Sequence, residues 1–185
     1  MLKRIINKTR QLMAGKSNEQ LSVDACIAAG MKVGSNVYGL INCTIDYGSC
    51  WLIEIGDNVM FGPEVYLLSH DTSTKRFVNY TRVGKIIIGR NVFVGARVFI
   101  MPNVTIGENS IIGSCSVVTR DVPPNVVVAG NPARVITTVE AYRKKIEEEF
   151  ERSPKFDSSY TLPGGITPDK VRQMNEEIIE NGYVR

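Results

Sequence analysis

With 185 residues, a hydrophobic share of 43%, a charged share of 22% and a formal net charge of +3, the chain reads as one soluble globular domain. That charge is too small to argue for a nucleic-acid partner, and the basic residues form no long tract outside the first ten positions. No apolar run approaches the ~18 residues that span a bilayer, and the basic start MLKRIINKTRQLM lacks the apolar core and cleavage site of an export signal; the expected location is the cytoplasm.

The first predicted element is helical. Leu2, Ile5, Ile6, Thr9, Leu12 and Met13 give an apolar stripe at helical spacing, and a second short helix is expected near Ser22 and Asp24, ending at Gly30. Residues 1–32 are expected to cap the open strand edges of the repeat that begins at Val33; a basic amphipathic helix of this kind could also lie on a membrane surface as a peripheral anchor.

From Val33 onward an aliphatic residue returns every sixth position: Val33, then Ile45 (Gly39 between them), Ile55, Phe61, Leu67, and Ile88, Val94, Ile100, Ile106, Ile112 and Val118. A period of six fits neither a helix nor a simple alternating strand. It fits a chain that runs a short strand, turns and repeats, three strands closing one triangular coil, with the aliphatic residue stacked into a continuous column. Four places after each stands a small or β-branched residue (Val37, Cys43, Ser49, Val59, Val65, then Val92, Val98, Val104, Ser110, Ser116 and Val122, with Asp71 the exception), suited to the corner beneath a turn. Glycine often follows the aliphatic residue, as at Gly56, Gly95 and Gly107, where a crowded turn favours a residue without Cβ. The register slips twice: the step from Ile45 to Ile55 is ten rather than twelve, and that from Leu67 to Ile88 is three more than a coil of eighteen, which extrudes a loop over residues 71–85. About five coils at ~4.8 Å each give a stack on the order of 24 Å tall.

After Val135 the pattern stops. Thr138 to Arg152 reads as a charged helix, Ser153 to Gly165 as loop, and Thr167-Pro168-Asp169 as the start of a last helix, all within an extension over 137–185 that shows no chemistry. The four cysteines, Cys26, Cys43, Cys50 and Cys115, lack CxxC spacing and read as free thiols in a reducing compartment. No clustered Cys/His set supports a zinc or other metal site.

Over roughly Gly34 to Ile136 the chain resembles the hexapeptide-repeat acyltransferases, nearest to the branch of galactoside, maltose and polysaccharide O-acetyltransferases. The residues that carry the likeness are Ile55-Gly-Asp-Asn58, Ser69-His-Asp71, Ile88-Gly-Arg-Asn-Val-Phe-Val-Gly-Ala96, Ser116-Val-Val-Thr-Arg-Asp-Val-Pro-Pro124 and Ala129-Gly-Asn-Pro-Ala-Arg-Val-Ile136. The resemblance implies a mainly β fold, a left-handed parallel β-helix over residues 33–136. Parallel crossovers are ordinarily right-handed, so the expected hand rests on the resemblance alone. It also implies acetyl-CoA as co-substrate, no required metal, and a homotrimer with its sites between subunits.

The chain has a single histidine, His70, just before the extruded loop. Acetylating a hydroxyl requires removal of its proton, and a neutral imidazole with a reference pKa of about 6.5 suits that task; the resemblance makes His70 the general base of a direct ternary-complex reaction. No acylated nucleophile is needed, so the cysteines read as packing residues, and the oxyanion is expected to be held by a coil-turn backbone N–H, with Gly95-Ala96 suggested by position. Matching the family's coenzyme groove gives Ala96, Ser114, Thr119, Arg120 and Arg134, the two arginines offering charge to the phosphates. Ala96 and Ser114 stand eighteen apart, on one face of successive coils. Asn42 lies in a segment, INCTID, that resembles a sugar-binding stretch; Asp46 could orient His70, accept a sugar hydroxyl, or be an ordinary turn aspartate. Tyr47, Trp51, Phe77 and Tyr80 could form an aromatic platform for a sugar or pack the loop against the coils.

The expected acceptor is a saccharide precursor of an O-antigen, capsule or exopolysaccharide. Alternatives are an amino-sugar N-acetyltransferase, a maltose- or galactoside-type enzyme acting on small sugars, and a non-catalytic structural or binding β-helix. A serine acetyltransferase would bring a long helical domain and usually a second working histidine, and a γ-type carbonic anhydrase needs three histidine ligands; neither fits one histidine.

Overall fold

The computed structural model describes residues 18–185. The helix expected over Leu2 to Met13, and with it the membrane-surface alternative, lies outside them. Two compact units divide between Val139 and Glu140.

The first unit is a coil of very short strands whose side chains alternate in and out. Ile53 and Ile55 point inward with Glu54 outward; Ile86 and Ile88 flank an outward Ile87; Val104 and Ile106 flank Thr105. Three sheets result. The first contains β1 (Lys32–Val33), β3 (Ile53–Ile55), β8 (Ile86–Ile88) and β11 (Val104–Ile106). The second contains β4 (Met60–Phe61), β9 (Phe93–Val94), β12 (Ile111–Ile112), β14 (Val126–Gly130) and β15 (Ala133–Thr138), and the third β2 (Thr44–Ile45), β5 (Tyr66–Leu67), β10 (Phe99–Ile100) and β13 (Val117–Val118). Each coil visits the sheets in that order, and every pairing in these sheets is parallel except the closing hairpin of β14 and β15. The expected aliphatic column is the core: Leu67, Val94, Ile100 and Ile112 are sealed from solvent, with Ile55, Ile88, Ile106 and Val118 nearly so. Full burial of each such side chain is worth about 1.5–3 kcal/mol.

Pairing corrects the sequence register. Val33 pairs with Ile55, Ile55 with Ile88 and Ile88 with Ile106, so successive coils take 22, 33 and 18 residues. The ten-residue step from Ile45 to Ile55 is therefore one corner with four residues added, not two repeats missing two. The step from Leu67 to Ile88 is likewise one corner with fifteen added. Both lie on the edge between the third and first sheets, as does the short step from Val118 to Val122, which bridges Ile106. Two positions depart locally. Gly39 keeps the column's register opposite Phe61, since Tyr38 bridges Met60, but it brings no side chain; the buried Leu40 beside it fills that level, and a Cβ on Gly39 would sit 2.0 Å from the Phe61 carbonyl oxygen. Asp71 is not a corner residue, since Ile86, opposite Val104, takes that place and Asp71 belongs to the added segment.

The glycine rule also has a sharper cause. A Cβ on Gly95 would lie 2.6 Å from the backbone nitrogen of Ser114 on the next coil, so stacking, rather than backbone conformation, selects glycine there. The left-handed conformation falls two places later, chiefly on asparagine: Asn36, Asn58, Asn91, Asn109 and Asn125 all have φ between 54° and 61°. Their amides form one row along the edge between the first and second sheets, each donating to the next at 2.9–3.1 Å.

The first coil is covered by α1 (Asn18–Ala28), whose Val23 and Cys26 join the core. The second unit takes in α3 (Val139–Arg152) from its second residue, the parallel pair β16 (Lys155–Phe156) and β17 (Tyr183–Val184), and α4 (Pro168–Glu177), and its buried apolar side chain is Phe156. Thr167 caps α4 through the Lys170 amide. Among the described residues no helix is long and apolar enough to cross a membrane.

Candidate active site

The fifteen residues added between the third and first sheets leave the coil at Ser69 and return at Gly84, whose amide donates to the Ser69 carbonyl at 2.9 Å. The base of this segment is a two-residue antiparallel pair, β6 (His70–Asp71) with β7 (Arg82–Val83), in which His70 faces Val83 and Asp71 faces Arg82. A short helix, α2 (Lys75–Val78), forms its tip. Asp71 accepts from the Ser73 hydroxyl at 2.6 Å and amide at 2.9 Å and from Arg82 at 2.8 Å. These donors, Ser73 foremost, hold its carboxyl below the usual carboxylate range.

His70 is thereby fixed at the edge with 41% of its side chain exposed, while its Nδ1 meets the Oδ2 of Asp46. Asp46 begins the four-residue insertion of the preceding coil and is only 8% exposed. The same Oδ2 accepts from the Ser69 amide at 3.0 Å and the Ser69 hydroxyl at 3.1 Å. That oxygen already accepts from two donors of Ser69, so it meets Nδ1 as an acceptor. Nδ1 must then carry the ring proton, and the lone pair lies on Nε2, the nitrogen turned away from Asp46. Behind this pair stands Ser49, whose hydroxyl oxygen is 2.7 Å from that of the fully buried Ser69. The Ser69 hydroxyl also lies 3.2 Å from the Ser49 carbonyl oxygen. Sequence reasoning does not single out Ser49 or Ser69 for this role; the signal for Ser69 is its place beside the only histidine.

The coenzyme candidates fall on two edges. Thr119 and Arg120 follow β13 on the His70 edge, two coils further along, ~10 Å at a coil spacing of ~4.8 Å; both are exposed. Ala96 and Ser114 lie on the edge between the second and third sheets, one above the other, with the Cys115 amide donating to the Ala96 carbonyl at 2.8 Å. Asn42 is exposed on that same edge, its carbonyl accepting from the Glu64 amide at 3.1 Å. Arg134 sits on the closing hairpin opposite Ala129, its guanidinium held to the Ala133 carbonyl at 2.8 Å. One chain thus keeps His70 and Asp46 apart from Ala96, Ser114 and Asn42 by the width of the third sheet. The rings proposed as a platform, Tyr47, Trp51, Phe77 and Tyr80, are all more than half exposed rather than packed on the coils.

The cysteines are free thiols. Burial pushes the Cys43 thiol up to about 12 and raises Cys26 as well, so neither is a nucleophile at neutral pH. Among the described residues no group of three or more His, Cys, Asp or Glu side chains is placed to hold a metal ion.

Residues 85–120 match the family described as bacterial transferase hexapeptide (six repeats). Protein CapG of Staphylococcus aureus is 36% identical over 151 residues, 79% of this chain and 88% of its own length. Galactoside O-acetyltransferase of Escherichia coli K12 is 43% identical over 118 residues, 60% of this chain and 55% of its own. Among solved structures, a maltose O-acetyltransferase from Clostridium difficile 630 superposes with a TM-score of 0.52 at 30% identity, covering 73% of this chain and 84% of that one.

Proposed function

The chain belongs to the hexapeptide-repeat acetyltransferases, and from that premise we propose that it moves an acetyl group from acetyl-CoA to a hydroxyl of a saccharide in the cytoplasm. The observation that carries this reading is the imidazole of His70, oriented by Asp46 with Nε2 free at an exposed edge. In the reaction, Nε2 takes the proton of the sugar hydroxyl as its oxygen attacks the thioester carbonyl. The imidazolium is stabilised by the Asp46 carboxylate, and Ser69 holds that carboxylate in place. The tetrahedral intermediate then collapses, the C–S bond breaks, and the departing thiolate receives the proton from Nε2. The coils take the left hand of the family.

The acceptor class accords with the relatives named for galactosides and maltose, and a capsule, O-antigen or exopolysaccharide precursor is the expected form. Thr119, Arg120 and Arg134 bind the coenzyme's polar end, and the Ala96–Ser114 edge bears its linear arm. Thr119 and Arg120 stand on the His70 edge, and Ala96 and Ser114 on the opposite edge of the third sheet, so completing the site calls for a neighbouring copy and a homotrimer. The outward faces support the same assembly. The second and third sheets present Tyr38, Met60, Phe93 and Phe99 to the outside, and Tyr66 and Phe99 stack at 4.4 Å. The first sheet instead presents the ion pair of Lys32 and Glu54, Thr105 and one apolar side chain, Ile87. An apolar pair of faces beside a polar one is what a closed ring of copies requires.

The test is thiol release from acetyl-CoA in the presence of a panel of mono- and oligosaccharides, with mass measurement of the product and sedimentation of the enzyme. Sugar-dependent release with a gain of one acetyl group is expected, from a trimer. A chain that releases no thiol with any sugar, or that is fully active as a monomer, would falsify the respective part of this reading.

A further inference from the structure

The first sheet carries a feature that the transfer reaction does not use. Trp51, the only tryptophan of the chain, is 56% exposed on the ten-residue corner that also holds Asp46 and Ser49. It borders a shallow recess of 130 Å³ whose other walls include Lys32, Glu54, Lys85 and Ile87. Binding pockets for drug-sized ligands measure about 300–1,000 Å³, so this recess is far too small for a coenzyme and suits a single ring. Lys32 and Glu54 hold each other at 3.0 Å, whereas the Lys85 ammonium has no ion pair among the described residues and leaves the recess with an unbalanced positive charge.

The recess adjoins the catalytic edge. Lys85 follows Gly84, whose amide is bonded to the carbonyl of Ser69, the residue before His70. On its other side Lys85 precedes Ile86, which pairs with Ile53, so that Lys85 lies next to Leu52 and hence to Trp51. Its backbone is pinned there by the Val104 amide at 3.1 Å. An indole face offers an apolar platform to the C–H face of a sugar ring, while flanking charged groups hydrogen-bond its rim. An ammonium adds a charge-assisted bond where the ring bears a carboxylate.

We propose that Trp51, Lys32, Glu54 and Lys85 form a second sugar subsite that takes an acidic hexose unit, so that the acceptor is an oligosaccharide carrying a uronic residue beside the unit acetylated at His70. This deepens the proposed saccharide transfer and rests on it. The polar first sheet, left open by an assembly through the other two, keeps the recess accessible.

Because Trp51 is the sole indole, its fluorescence reports the subsite directly in the full-length protein, without acetyl-CoA. Titration with D-glucuronate is expected to change the emission saturably, with D-glucose binding at least fivefold more weakly. Lys85→Met is expected to weaken glucuronate at least fivefold while leaving glucose within twofold, and sodium acetate at the same ionic strength to give no saturable response. Absence of a saturable glucuronate signal overturns the subsite; equal affinity for glucuronate and glucose overturns its acidic preference. A response matched by acetate overturns the sugar, leaving a plain anion site. The readout does not depend on turnover: a saturable glucuronate response in a protein that transfers no acetyl group supports the subsite and removes only the transferase reading.

Discussion

The regular coils between Ile86 and Val118 and the edge where the third sheet passes to the first obey opposite rules. In the coils, β8 to β13 keep step, their aliphatic residues are sealed, and their outward positions vary freely. On the edge the count is broken three times, and each of the two enlarged corners delivers part of the candidate site: Asp46, Ser49 and Trp51 from the first, Ser69, His70 and Lys85 from the second. The lesson is a division of labour. A repeat that satisfies its own backbone and buries its own column can tolerate extra residues at one corner, because neither neighbouring sheet loses its pairing.

That division can be broken or sharpened by substitution, starting with the largest effect. His70→Ala is expected to lower kcat by about 10²–10⁴ with an unchanged melting temperature; a variant retaining turnover within a few-fold of the parent removes the general base. Ile100→Ala, in the sealed column, is expected to do the reverse: a loss of about 2–5 kcal/mol of stability by denaturant titration, with kcat unchanged for the molecules that remain folded. If kcat falls in proportion, scaffold and edge are not separable. Asp46→Asn keeps the shape but weakens a charge-assisted bond worth about 1.5–3 kcal/mol, which corresponds to roughly ten- to hundredfold in kcat. Ser69→Ala, removing one of the three donors to Asp46, is expected to cost about fivefold; an effect larger than that of Asp46→Asn contradicts a serine that acts only by holding the carboxylate. The smallest effect is at Asp71. Its folded carboxyl is held below the unfolded value, so its contribution to loop order is complete above the ordinary carboxylate range and is lost as pH falls through the lowered value. Amide exchange at Ser73 should quicken there, while amides of β10 stay protected.

The column is legible in the sequence because its driving force is local: an aliphatic residue at every sixth place has nowhere to go but the centre of a three-sided coil. The added residues of the first corner are not, since a ten-residue step can be read as a short pair of repeats until Val33 is seen opposite Ile55. His70 announces itself by being alone. Its partner does not, because Asp46 lies 24 positions earlier and meets it only once both corners have swollen. Asp46 is open to three readings in sequence, and burial beneath His70 favours the orienting one. The split of Asn42, Ala96 and Ser114 from Thr119 and Arg120 is equally a property of corners, which a linear spacing of eighteen does not reveal.

The asparagine row on the opposite edge carries a consequence of its own. All four of its bonds run head to tail in water-exposed positions, from Asn36 up to Asn125, so each adds little to stability, solvent being an adequate substitute. Its worth is as a proofreading device. Sliding any rung by one position would misalign the amide below and the amide above together, so a growing stack meets a penalty for error at every level while the corner across from it is left free to vary.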